Sequence, residues 1–194
     1  MVSIVPFLPS FGWYAEWLKA LRAGNGSKEA VINANNSYRL PGKDYARTRI
    51  AGNEDTLLLS IPIVGGSSIL KRMANLPEAM ISEHGNWRHV HLGAFDASYG
   101  RAPFFPHIFP ELRQIYSSQA YPLLPLFNEA LHNLVCSLLD LDSVGTVPVL
   151  PTPVRERAEE LIREINPEIS IIDPLMRFGR EALLPLIQLS LRSS

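Results

Sequence analysis

The sequence predicts a small α/β domain, with a mixed sheet opened by an N-terminal βαβ unit and a helix-rich second half. Three observations carry this. Short apolar runs separated by turn residues fill residues 1–85. From Asn86 onward the apolar residues recur at three- and four-residue steps. Hydrophobic side chains make up 46% of the 194 residues and charged ones 19%, a balance that supports a folded core and excludes the low-hydrophobicity regime of disorder. At this length one core is expected, so residues 1–194 read as a single domain, sheet-rich over 1–85 and helical over 86–194.

Each element follows from its own pattern. Residues 4–8 form the first apolar run, 13–22 an amphipathic helix, and 30–34 a second short strand after the turn at Gly24-Asn25-Gly26. Parallel pairing of those strands would make the crossover right-handed and gather a ligand beyond their carboxyl ends, at Pro9, Ser10, Asn35 and Asn36. Further strands are predicted at 46–50, at 56–64 (continuous enough for burial) and, briefly, at 80–82. Asn86 is the expected cap of a helix over 87–98, and Pro110 the first-turn proline of the next. Leu124, Phe127, Leu131, Leu134 and Leu138 mark a core helix. Pro148, Pro151 and Pro153 make 143–153 an extended connector, followed by a charged helix at 154–165. Asp173-Pro174 reads as an N-cap with a proline at the first helical position, and Gly179 as the stop. A helix over 180–191, perturbed at Pro185, closes the chain.

Composition then removes several classes of function. The apolar stretches are too short to span a bilayer, and no basic region precedes the apolar residues at the N-terminus, so neither a membrane span nor a secretion signal is expected. Cys136 is the only cysteine, which excludes an internal disulfide and points to the cytoplasm. Net charge is −1, with 11 basic against 8 acidic residues over 1–110 and 7 against 11 over 111–194. Arg39, Lys43, Arg47 and Arg49 are too modest a cluster for nucleic-acid binding. The glycine pairs lack dinucleotide or phosphate-loop spacing, so no cofactor is named.

Candidate chemistry concentrates in Trp87-Arg88-His89-Val90-His91. On a helix, Trp87, Val90, Ala94 and Phe95 share an apolar face into which His91 falls, with Arg88 on its flank. A histidine there is either a core residue bonded to a backbone carbonyl or a general base, with Arg88 orienting a carboxylate or phosphate and Asp173 orienting the imidazole. His89 falls on the solvated side, and His84, His89 and His91 diverge too far for a zinc site. Cys136 reads as a small buried hydrophobe and Ser10 as a loop or cap serine.

Taken together, several segments resemble the WbqC-like family, in the form found in Bacteroidetes-type bacteria. They are Phe7-Leu8-Pro9-Ser10-Phe11-Gly12-Trp13-Tyr14, the strand end at 47–50, Leu59-Ser60-Ile61-Pro62-Ile63, residues 81–91 with Tyr99 and Pro103-Phe104-Phe105, and Ile169-Ser170-Ile171-Ile172-Asp173-Pro174-Leu175 with Phe178-Gly179. The chain looks like a shortened member, with Phe7, Gly12 and Ala46 where the family carries polar groups. The resemblance implies association with bacterial surface-polysaccharide (O-antigen) biosynthesis, in a sugar-modifying or group-transferring role. The expected ligand is a sugar, nucleotide or carboxylate, taken by His91, Arg88 and Asp173 as catalytic residues and by Arg47, Tyr99 and His84 as binding residues. The alternative expectation is a non-catalytic binding or structural protein that has lost the activity.

Overall fold

Arg47-Thr48-Arg49-Ile50 alternates charged or polar with buried positions, the period of a strand with one face inward. It forms β1 (Arg47–Ala51), which pairs antiparallel with β2 (Thr56–Ser60) in the register Arg47↔Ser60, Arg49↔Leu58 and Ala51↔Thr56. The turn between them closes with Gly52 N–H donating to the Asp55 carbonyl at 2.7 Å. A Cβ on Gly52 would sit 2.5 Å from that carbonyl oxygen, so the turn needs glycine. The computed structural model describes residues 5–22, 42–71, 73–141 and 150–191.

Around the hairpin stand helices α1 (Phe11–Arg22), α2 (Trp87–Tyr99), α3 (Phe105–Ser117), α4 (Leu124–Leu139), α5 (Thr152–Glu164), α6 (Ile172–Phe178) and α7 (Leu183–Leu191). Short 3₁₀ turns at Gly42–Ala46, Ile69–Lys71, Met73–Glu78 and Gly179–Ala182 join them. The chain is therefore α/β, with a small antiparallel sheet and a helical second half. α1 and α5 both pack on α7, while α2 and α4 both pack on α3. Phe7, Phe11, Tyr14, Trp17, Phe95, Tyr116 and Phe127 fill the core with almost no exposure. Among the described residues no helix is long and apolar enough to cross a membrane.

Several boundaries differ from the sequence expectation, each for a local reason. Residues 5–9 form no ladder: Pro6 and Pro9 have no N–H to donate, Leu8 adopts φ 39°, and only Ser10 bridges, to Ser170. The second strand of the expected βαβ unit, 30–34, the turn at 24–26, and Asn35, Asn36 and Arg39 lie outside the described residues, as does most of the proline connector. The run 56–64 is not one buried strand. β2 stops before Pro62, Leu57 and Leu58 are 43% and 51% exposed, and Ile63 bridges separately to Ile81. Its partner covers only one edge, and the core takes Leu59, Ile61 and Ile63 alone.

In α2 the buried stripe is Trp87, His91, Phe95 and Tyr99 at strict four-residue steps, leaving Val90 61% exposed rather than on the apolar face. Asn86 precedes α2, but its side chain makes no capping bond. α3 begins with Pro106 in its first turn, so Pro110 sits inside the helix on its exposed side. α6 is capped differently from expectation. Its N-cap is Ile171, Ser170 Oγ accepts the Ile172 N–H at 3.3 Å, and Asp173 falls within the first turn.

Candidate functional site

The period-two pattern of β1 positions the site. Thr48 and Ile50 turn into the core, which leaves Arg47 half-buried and Arg49 exposed on the opposite face, level with Leu58 of β2. That face borders a cleft of about 260 Å³ whose other wall is the segment from Pro6 to Ser10 with Gly12 and Trp13, closed by Asp44 and Glu168. The volume lies just below the range of about 300–1,000 Å³ usual for small-molecule sites, which suits a single sugar-sized ring. Arg47 and Arg49 make no ion pair among the described residues.

The N-terminal wall is held in an unfavourable backbone. Leu8, fully buried, adopts a positive φ of 39°, a conformation costing about 1–3 kcal/mol for a non-glycine residue. The Thr48 hydroxyl donates to the Leu8 carbonyl at 2.7 Å and so fixes the turn against β1. Ser10 then caps α1, its Oγ accepting the Trp13 N–H at 3.3 Å. The other free donors of that helix start are also occupied: Phe11 N–H bonds the Ile169 carbonyl at 2.8 Å, Gly12 N–H the Pro167 carbonyl at 2.9 Å, and Tyr14 N–H the Ser10 carbonyl at 3.3 Å. A bound anion would therefore rely on the arginines and not on the helix end.

His91 and Arg88 do meet, but on Tyr116 and not in the cleft. The Tyr116 hydroxyl and His91 Nδ1 are hydrogen-bonded at 3.2 Å, and Arg88 Nη1 donates to the Tyr116 carbonyl at 2.9 Å. Arg88 Nε and Nη2 grip Glu83 at 3.0 and 2.7 Å, with the guanidinium 4.5 Å over the Trp87 ring. Its fork is already filled by protein groups, and that hydrogen bond holds the Glu83 carboxyl below its usual range. His91, 3% exposed, also bonds the Ser60 backbone and lies between Phe7, stacked at 5.8 Å, and Trp87. Burial pulls its pKa down to about 4; the Ser60 bond opposes this and the Arg88 charge adds to it. At neutral pH His91 is uncharged. Phe7 lines the cleft, so the imidazole backs the cleft wall without facing it.

Asp173 bonds Tyr99 and Arg177, not His91. Its carboxyl is pushed up by burial, against the pull of Arg177, whose Nη1 is 3.5 Å away, and of the Tyr99 hydroxyl. Burial likewise raises the Tyr99 phenol, which accepts the Ala51 N–H at 3.1 Å. Tyr99 stands two turns of α2 beyond His91, about 12 Å along the axis. The pair thus ties α2 and α6 to the end of β1. His84 is exposed in the loop before α2, its backbone N–H donating to Ser82 Oγ. His89 is exposed too, and among the described residues no three His, Cys, Asp or Glu side chains gather as a metal site.

Of Arg47, Tyr99 and His84, expected to bind a ligand, Arg47 alone lines the cleft, where it is joined by Pro9 and Ser10 from the expected strand end. Arg49, Asp44 and Glu168 escaped notice as site residues. The Arg-x-Arg alternation carried the signal for Arg49, whereas Glu168 is 119 positions further along the chain and nothing local marks it. Behind Trp13 runs a second buried polar chain: the Tyr14 hydroxyl 2.9 Å from His132 Nδ1, and Cys136 Sγ 3.5 Å from His132 Nε2.

An antiparallel hairpin wrapped by helices, with a mixed-charge cleft between β1 and the start of α1, defines a helix-rich α/β protein. The chain belongs to the WbqC-like protein family, whose sequence pattern matches residues 25–166. That span contains both strands and α2 to α5, while the segments at 7–14 and 169–179 lie outside it. No curated protein and no solved structure shows a significant match.

Proposed function

We propose that the cleft binds a small anionic sugar or sugar-linked carboxylate, and that the protein serves bacterial surface-polysaccharide biosynthesis in a sugar-modifying or group-transferring role. One observation carries this: Arg47 and Arg49 stand side by side on one strand face, bordering a sugar-sized cleft, with no ion pair among the described residues. A forked guanidinium suits paired phosphate or carboxylate oxygens, and the exposed Leu58 side chain offers an apolar surface to the C–H face of a ring. In this reading Arg47 and Arg49 bind the anion. His91 and Arg88 are positioning residues acting through Phe7 and Tyr116, and Tyr99 with Asp173 fixes β1.

A second reading has its own support. Arg88 has every face of its fork engaged, and His91 is held by Tyr116 and Ser60, which favours a non-catalytic binding protein over an enzyme using those two groups. Calorimetry with glucose 1-phosphate, glucuronate and UDP-glucose tests the cleft. At least one should bind, and Arg47→Ala and Arg49→Ala should each weaken it about tenfold or more while the melting temperature holds. Absence of binding by all three, or binding indifferent to both variants, overturns the cleft reading. Release of a modified sugar on incubation with an activated acyl or glycosyl donor would separate enzyme from binder.

A further inference from the structure

The cleft holds carboxylates as well as arginines: Asp44 and Glu168 face the same 260 Å³ as Arg47 and Arg49. Yet none of the four pairs with another within ion-pair distance among the described residues. Such an arrangement is poorly suited to a ligand of one sign. A plain phosphate gains from the arginines and is opposed by the two carboxylates that line the same cleft. A ligand carrying both charges meets partners for each, and its two contacts fix its orientation in the cleft beside the exposed Leu58.

Resting on the anion-binding reading above, we propose that the ligand is zwitterionic: a monosaccharide-sized molecule bearing an ammonium group for Asp44 and Glu168 and a phosphate or carboxylate for Arg47 and Arg49. An amino-sugar phosphate and a free amino acid share that chemistry. The cleft volume and its apolar lining favour the sugar.

Calorimetry on the full chain decides, with glucosamine 6-phosphate, glucose 6-phosphate, glucosamine and glycine as probes at a pH where the amines are protonated. Glucosamine 6-phosphate should bind about tenfold or more tighter than glucose 6-phosphate and than glucosamine. Glu168→Gln, on an exposed turn, should reduce that preference by weakening glucosamine 6-phosphate and strengthening glucose 6-phosphate, and Asp44→Asn should act in the same direction. Glycine binding more tightly than glucosamine 6-phosphate would support the zwitterion and assign it to an amino acid. Equal affinity for glucosamine 6-phosphate and glucose 6-phosphate, with both still sensitive to Arg47→Ala, overturns the zwitterionic ligand and leaves the anion cleft standing. Failure of all four probes to bind overturns the zwitterionic ligand, and the anion reading falls with it only where glucose 1-phosphate, glucuronate and UDP-glucose fail as well.

Discussion

His91 sits where two roles that read alike in sequence separate in space. A histidine on an apolar stripe is compatible with a general base or with a core imidazole, and its contacts decide which is realised. Here Tyr116, the Ser60 backbone, Phe7 and Trp87 enclose it, and its hydrogen bonds end inside the protein. Removing it would leave the Tyr116 hydroxyl, itself at 0% exposure, without this partner and open a void behind Phe7. His91→Ala should therefore destabilise the fold by about 2–4 kcal/mol, the combined size of a lost buried hydrogen bond and a cavity. Urea unfolding measures it, and a loss below about 0.5 kcal/mol, in the range of surface substitutions, would show that the imidazole does not support the core. Arg47 is the contrasting case. Partly exposed and without an ion pair among the described residues, it can be replaced with little effect on stability, so its substitution reads out in ligand affinity alone.

Among the elements, the junction of α2, α3 and α6 explains why motifs far apart in the chain matter together. Gly179 ends α6 at φ 56° and ψ −132°, and a Cβ there would lie 2.5 Å from the Phe104 ring. Phe104 also donates its N–H to the Met176 carbonyl at 3.1 Å. Gly179→Ala meets both a backbone penalty and a steric one, and should cost about 2–4 kcal/mol. The double variant with Phe104→Ala should recover part of that loss, the steric share, and strict additivity in denaturant unfolding would refute the contact as its origin.

What the sequence discloses follows the reach of each signal. α1, α2, α4 and α5 were legible to within a few residues because their apolar residues recur at helical spacing, and β1 because its charges alternate. The exposed half of β2, the true start of α3 and the capping of α6 were not, since each depends on a neighbour: an absent covering layer, a proline one turn earlier, a hydroxyl two residues before. The site followed the same division. Arg47 was visible through its strand, whereas Glu168 joins it only through tertiary structure, where Ser170 N–H bonds the Arg49 carbonyl at 2.8 Å.

For the molecule as a whole, His91 predicts how stability responds to acid. Its folded pKa of about 4 lies below the unfolded value of 6.5, so between these limits the unfolded chain binds the extra proton. The contribution is fully present above pH 6.5 and is lost as pH falls towards 4, amounting to about 3 kcal/mol at most. Asp173, whose carboxyl is raised by burial, works in the opposite sense, its contribution being lost as pH rises from 3.8 through the raised value, and it is common to the native chain and to His91→Phe. Melting temperature should drop through this window in the native chain and much less in His91→Phe, and parallel profiles would remove His91 as the cause.

The strap at 167–171 also sets an order of events. Its carbonyls and amides complete the α1 start, the Pro9 carbonyl and β1 through Phe11, Gly12, Ile171 and Ser170. During synthesis the N-terminal wall of the cleft emerges well before its closing partners, which follow only with residues 167–171. A nascent chain halted before Pro167 carries both arginines but not the strap that closes the cleft beside them.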